Sequence, residues 1–358
     1  MHNRLVIPEH LTVRVKAETM RQTLVDLFAA AGLPGEDARQ SAEVLIWADL
    51  RGIDSHGASN MMASYLAGLR AATINPTPDW KITRDMPGTA VIDCDRGLGL
   101  VVGPAAMRLA IEKAKVTGIA SVVAGNGRHF GAAGYHAWLA IEHDMIGLAM
   151  TVGGLLVAPT FGAKAMVGLN PLAFAAPTNT EAPFVFDASM SSVAGNKIRL
   201  ARRLGTDIPG GWIAGMDGTP VMEDTPVPDE FLMLPAGATR DIGSHKGYSL
   251  AVIVDVLAGM LSGAGPGYTA GSNVSHHFIA YNIAAFTDPA DFRAQMDTYM
   301  RALRETPPAP GHERVMYAGL GQSEFEQERR EAGIPYHHEV VTQYRAWAKE
   351  YGVTDRFE

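Results

Sequence analysis

The chain reads as an α/β (α+β) protein, with helical ends around an α/β middle. Three observations point there. Apolar residues recur at helical spacing as far as Arg70, short apolar runs alternate with helical segments from Thr89 onward, and helical spacing returns after Asp288-Pro289. With 358 residues, 47% of them apolar and 19% charged, the chain can bury a large core and is expected to fold as two packed domains.

The elements follow in order. Residues 17–31 predict a helix with Leu24, Leu27 and Phe28 inward, ended by Gly32. Pro34 with Glu36 and Asp37 opens a second helix, its acids in the positive first turn, and this helix runs to Leu50. A third pattern starts at Ala58, with Met62, Tyr65, Leu66 and Leu69 three and four apart, and Ile74-Asn75-Pro76-Thr77-Pro78 is a linker. Strands are expected at 89–93, 119–124, 146–152, 172–176 and 184–187, and helices over 104–117 and from the end of a loop at 125–131 to about Asp144. An apolar helix covers 247–262, and 277–286 is a further strand. Beyond Asp288-Pro289 a helix presents Phe292, Met296, Tyr299, Met300 and Leu303 on one face, until Pro307-Pro308 breaks it. Ser323 and Glu326 form a capping box for another helix. Val340, Val341, Tyr344 and Trp347 mark the last one.

Composition excludes several classes. Thirty basic residues against 38 acidic ones leave a net charge of −8 with no basic stripe, which argues against nucleic acid and anionic membranes as partners. Cys94 is the single cysteine, so no intrachain disulfide or cysteine metal cluster can form, in keeping with a reducing cytoplasm. The apolar patch Leu5-Val6-Ile7 is too short for a signal peptide. Residues 145–163 are almost long enough to span a membrane, yet Gly147, Gly153, Gly154 and Pro159 make them a buried strand followed by a loop.

Two stretches draw attention chemically. Arg51-Gly52-Ile53-Asp54-Ser55-His56-Gly57 is a short turn between two helices that presents Asp54, Ser55 and His56. A histidine there suits proton transfer, although a solvated, capped corner fits the same residues. Gly125-Asn126-Gly127-Arg128-His129-Phe130-Gly131 joins a strand to a helix, and its glycines let backbone approach a ligand.

Other patterns carry less. Gly97, Gly99 and Gly103 stand where a dinucleotide fingerprint would, but one residue too widely spaced and with no ribose-binding acid after the next strand. They indicate a closely packed turn, and not a Rossmann domain. His129, His136 and His143 lie seven apart, about 10 Å per step on a helix, too far to share one metal. No metal site is expected. Ser55, His56 and Asp187 suggest a hydrolase triad, but adjacent Ser and His side chains do not easily face one another and no Gly-x-Ser-x-Gly elbow occurs. Asp187, ending the apolar strand, is either functional or a cap for residues 189–192. Lys246 sits where a helix's orphan amides gather, either opposite an anion such as a phosphate-bearing cofactor or free in solvent.

Taken together, the chain resembles the second, non-Rossmann family of malate/L-lactate dehydrogenases, which also contains ureidoglycolate, sulfolactate and diketogulonate enzymes and piperideine/pyrroline-2-carboxylate reductases. The resemblance runs from about residue 20 to 335. Its carriers are Asp54-Ser55-His56-Gly57, Ile74-Asn75-Pro76, Gly97-Leu98-Gly99, Arg128-His129-Phe130-Gly131, Gly168-Leu169-Asn170-Pro171, Asp187-Ala188-Ser189, Val193-Ala194-Gly195-Asn196-Lys197-Ile198 and His245-Lys246-Gly247-Tyr248.

The resemblance implies a mixed, non-Rossmann sheet with helices, a helical domain built from both chain ends (1–87 and 287–358) around a cofactor-binding centre (88–286), and a homodimer. It implies hydride transfer between NAD or NADP and a small 2-oxo or 2-hydroxy acid, or a cyclic imino acid. His56 would be the proton donor, with Ser55 and Asp187 as its relay. His129, Phe130, Gly131, Pro177, Thr178, Ala188, Lys246 and Gly247 would lie along the cofactor. Two positions depart from the pattern: Asn60 stands where many members carry a carboxylate-binding Arg, and Leu169 where many carry Thr beside Asn170. Arg128 is the expected substitute for the missing anchor. An imine reductase with the same site, and a non-catalytic cofactor-binding relative, are the alternatives.

Overall fold

A computed structural model describes residues 7–271 and 273–357. Leu5 and Val6 of the N-terminal apolar patch lie outside the described residues. A short strand β1 (Thr12–Val15) precedes three helices, α1 (Ala17–Ala30), α2 (Gly35–Leu50) and α3 (Ala58–Arg70). Next come β2 (Lys81–Met86), β3 (Thr89–Asp93), α4 (Gly99–Thr117), β4 (Ile119–Gly127), α5 (Ala133–Ile141) and β5 (Met145–Thr151). The chain continues through β6 (Leu155–Val157), β7 (Val167–Gly168), β8 (Leu172–Ala176), β9 (Phe184–Ala188) and α6 (Gly195–Leu204). Two short strands follow, β10 (Ile213–Ala214) and β11 (Leu232–Met233), then α7 (Ser244–Val254), extended by a π-helical turn Asp255–Met260. The last elements are β12 (Val274–Asn282), α8 (Pro289–Arg304), α9 (Leu320–Ala332), β13 (Ile334–His337) and α10 (His338–Tyr351).

Seven strands form one sheet in the order β2-β3-β4-β12-β5-β8-β9. Only β3 and β4 run parallel; the other neighbouring pairs are antiparallel. This is a mixed sheet and not the doubly wound parallel sheet of a Rossmann domain. Helices α4 and α5 cover one face, where Met107, Ile111 and Ala137 pack on Val122, Ala149 and Phe278. A second core joins the two chain ends: Phe28, Leu45 and Tyr65 share it with Ile334, Tyr336 and Tyr344. Helices from both chain ends thus pack around one core, which also takes in Leu98, Leu100 and Tyr135 of the middle.

Several expected boundaries shift, for physical reasons. Helix α4 starts at Gly99, upstream of Pro104, which lies inside it. The proline forfeits one backbone hydrogen bond, while the extra turn buries Leu100 and Val102 completely. The glycines there serve packing, as expected: a Cβ on Gly99 would lie 2.4 Å from Phe130 Cβ, and one on Gly103 2.7 Å from the His136 ring. The Ser323–Glu326 capping box does not form. Helix α9 already starts at Leu320, Ser323 Oγ donates to the Gly319 carbonyl, and Glu326 pairs with Arg51. On α8, Met300 is buried against Tyr317 and Leu320, but Tyr299 points to solvent. The histidines 129, 136 and 143 share no helix, since α5 spans only Ala133–Ile141.

Candidate active site

The turn between α2 and α3 is held from several sides. Gly52 takes a left-handed φ of +71°, and a Cβ there would meet the Phe325 ring at 2.8 Å. Arg51, 1% exposed, lies between the Trp47 and Trp138 rings and pairs with Glu326 at 2.6 Å. Asp54 pairs with buried Arg329 at 2.5 Å, and the same guanidinium donates to the Asp49 carbonyl. Asn60 Nδ2 donates to the Asp54 carbonyl, 2.7 Å, and Asn196 Nδ2 to the Ser55 carbonyl, 2.5 Å. Under the turn, Asp49 accepts from Tyr336 Oη (2.6 Å) and from the Ala58 amide (2.9 Å). Residues from α2, α3, α6 and α9 thus fix where His56 sits.

His56 and Ser55 do face one another: Ser55 Oγ lies 2.9 Å from His56 Nδ1. The expectation that adjacent side chains turn apart fails because the tight turn directs both to one side. The His56 ring stacks on that of His129, centroids 5.7 Å apart. His129 Nδ1 accepts from the Gly131 amide at 3.2 Å and sits 2.8 Å from Tyr65 Oη. An amide can only donate, so Nδ1 is unprotonated and the neutral ring carries its proton on Nε2. Asp187, at the end of β9, accepts from the Gly134 amide at 2.7 Å.

Electrostatics follow from burial. Desolvation, then the charge of Lys197, pushes His56 down to about 4. Desolvation and the neighbouring imidazoles His56, His276 and His136 take His129 to about 3. The Asp187 carboxyl is raised to about 6 by desolvation, against the Gly134 hydrogen bond. Both imidazoles are therefore neutral at pH 7.

A cavity of about 460 Å³ brings these groups together. Of the residues singled out in the sequence, Ser55, His56, His129, Phe130, Gly131, Leu169, Asp187 and Ala188 line it. Gly131, Gly153 and Gly154 give it stretches of wall without side chains, and a Cβ on Gly154 would meet nothing within 4 Å. Such walls admit a flat ring against backbone, so the residues fit a nicotinamide.

Other expected site residues lie elsewhere. Arg128 donates to the Thr73 carbonyl (2.6 Å) and the Gly127 carbonyl (2.7 Å), outside the cavity wall. Asn60 lines a smaller neighbouring cavity. Asn170 is buried and spans Gly153 N and the Ala251 carbonyl, bracing the glycine wall from behind. Pro177 is buried, and Thr178 Oγ1 donates to the Glu181 carbonyl. Gly247 packs on Ala236, whose carbonyl would lie 2.4 Å from a Cβ, and Lys246 is exposed in the first turn of α7. Asn196 and Lys197 line the cavity without having been assigned a role from sequence. A basic residue opening a helix soon after Asp187 was the available signal.

A half-buried imidazole with a hydroxyl on one nitrogen, facing a glycine-walled cavity, is chemically able to pass a proton. Residues 15–345 match the family model for malate/L-lactate dehydrogenase. The malate dehydrogenase of Pyrococcus horikoshii is 37% identical over 348 residues, 95% of this chain and 96% of that one. Its solved structure superposes with a TM-score of 0.89 at 35% identity, covering 98% of each chain. The L-sulfolactate dehydrogenase of Methanocaldococcus jannaschii is 33% identical over 95% of this chain and 97% of its own. The ureidoglycolate dehydrogenase (NAD(+)) of Escherichia coli K12 is 31% identical over 90% and 92%. This chain belongs to the malate/L-lactate dehydrogenase family, and it is an oxidoreductase.

Proposed function

We propose that this enzyme interconverts a small 2-hydroxy acid and its 2-oxo acid, using NAD or NADP, with His56 carrying the proton. The observation that carries the reading is the 2.9 Å contact between Ser55 Oγ and His56 Nδ1 inside the shared cavity. That contact leaves Nε2 as the ring's working atom. When Nδ1–H donates to Ser55, Nε2 accepts the hydroxyl proton of the substrate and the ring becomes imidazolium; in the reverse direction the imidazolium returns that Nε2 proton to the oxo oxygen and the ring is neutral again. A neutral imidazole at pH 7 favours the first direction. Asp187 and Ser55 complete the relay, Asp187 as a carboxyl whose raised pKa lets it hold or release a proton near neutrality. A bound nicotinamide supplies or receives the hydride. His129 presents an Nε2–H donor to whatever lies beside it.

The enzyme works as a cytoplasmic homodimer in this reading. Support for the dimer comes from Leu250, Ile253, Val256, Met260 and Leu261, exposed apolar residues along α7 and its π turn. Fluorescence titration with NADH and NADPH, then turnover on a panel of 2-oxo acids and cyclic imines, tests the reaction. Micromolar binding of one cofactor and turnover of a 2-oxo acid is the expected result. Turnover of cyclic imines alone would move the chemistry to C=N reduction, and binding of neither cofactor would overturn the proposal.

A further inference from the structure

We infer that Lys197 anchors the carboxylate of the substrate, an inference that rests on the hydroxy-acid reading above. Lys197 and Arg51 are the cationic side chains of Lys and Arg type on the cavity wall. Arg51 is committed to Glu326 and wedged between two tryptophans. The carboxylates on the wall are likewise engaged, Asp54 with Arg329 and Asp187 with the Gly134 amide. The backbone amide of Lys197 donates to the Ala194 carbonyl, but the ammonium has no hydrogen bond or ion pair within the described residues. It is a half-buried cation facing a cavity, which is costly unless an anion arrives.

Its position suits that anion. Lys197 lies in the first turn of α6, whose opening amides receive no side-chain cap. Helix dipole and ammonium both favour negative charge at the same place. The neighbouring Asn196 is bonded to the Ser55 carbonyl, so the helix start and the His56 turn form one unit. A 2-hydroxy acid has its carboxylate on the carbon that bears the hydroxyl. A fixed anchor beside a fixed proton carrier is the geometry such a molecule requires. Arg128, the expected substitute, is spent on the Thr73 and Gly127 carbonyls, and Asn60, where a family Arg is missing, on the Asp54 carbonyl.

The anchor also sets the timing of proton transfer. An uncompensated Lys197 disfavours protonation of His56. A carboxylate seated on Lys197 removes that pressure, so His56 becomes a stronger base as substrate arrives. Binding and basicity are coupled through one ammonium group.

The test uses oxalate as an inert dicarboxylate probe and calorimetry on protein without cofactor, comparing wild type with Lys197→Met. Oxalate affinity should fall roughly 10²-fold, the effect of removing one partner of a desolvated, charge-assisted pair. Lys197→Arg should recover part of the loss. Tm should stay unchanged, and if Lys197→Met does not fold, Lys197→Gln takes its place. NMR titration should show oxalate raising the His56 pKa in wild type and not in the variant. Equal oxalate affinity in both proteins, or none in wild type, overturns the anchor. Weakened NADH and NADPH binding with oxalate affinity intact would reassign Lys197 to a cofactor phosphate and also overturn it. Wild type that binds oxalate through Lys197 but turns over no 2-oxo acid keeps the anchor and rejects the reaction.

Discussion

His56 and His129 stack with their planes 13° apart and their centroids at 5.7 Å. Two imidazolium rings at that separation repel strongly, so the pair carries at most one positive charge. His129 is fixed as the Nε2–H tautomer by the Gly131 amide, with the Tyr65 hydroxyl on the same nitrogen. His56, whose Nδ1 meets a rotatable serine hydroxyl, is the ring free to change its protonation.

Substituting each ring separates these roles. His56→Ala should lose roughly 10²–10⁴-fold in kcat, the range for a missing general acid or base, while binding NADH or NADPH as wild type does. His129→Ala should keep more of its turnover and lose affinity for ligand. Near-normal kcat in His56→Ala, measured by nicotinamide absorbance, would transfer the proton to another group.

Acid should destabilise the fold. His56, His136 and His277 are lowered to about 4 by burial, His129 and His276 to about 3. In the unfolded chain each titrates near about 6.5. Between those values the unfolded chain binds more protons, so the stability present above about pH 6.5 is lost as pH falls toward 4. Asp49 and Asp187, raised to about 7 and about 6 mainly by desolvation, act in the opposite sense, their contribution being lost as pH rises. The imidazoles outnumber them, and Tm at pH 5 should lie below Tm at pH 7.5. A higher Tm at pH 5 would show that the buried carboxyls dominate.

Gly57 leaves no room for a side chain. A Cβ there would stand 1.7 Å from Asp49 Oδ1. Gly57→Ala must displace either the buried carboxyl or the turn, with an expected cost of about 3 kcal/mol or more by denaturant unfolding. Turnover should fall with it, because His56 precedes the displaced residue. Unchanged unfolding midpoints would mean that the turn relaxes freely.

Arg329→Met leaves Asp54 and the Asp49 carbonyl without their donor. Arg329 is 4% exposed, and removing one partner of a buried pair typically costs about 3–5 kcal/mol. Asp54 is itself 19% exposed, so the lower end of that range is expected. Thermal unfolding measures it, and a loss under about 1 kcal/mol would class the pair with surface ion pairs.

Much of this was legible in the sequence where one physical signal dominated. Helices α1, α2 and α3 have apolar faces at helical spacing, and β3 and β8 emerge with the expected bounds because turn residues flank them. Strand β2 was invisible: all its residues are exposed, so no alternation marks it. Strands β6, β7, β10 and β11 have two or three residues each, too few to carry a period. Ser55, His56, His129 and Asp187, singled out from residue type and resemblance, line one cavity. Lys197 was missed because its meaning depends on what fails to pair with it. The partners of Arg128 were equally hidden, since the two carbonyls on its guanidinium are backbone groups that no residue type announces.

The clamp on the His56 turn has a consequence for biosynthesis. Asp49 takes a hydrogen bond from Tyr336, 287 positions later, and its carbonyl takes one from Arg329, 280 positions later. A ribosome makes the turn long before its fasteners. Until residues 329 and 336 have left it, the nascent chain carries an unfastened turn, so the His56 site can be completed only after α9 and β13 have emerged.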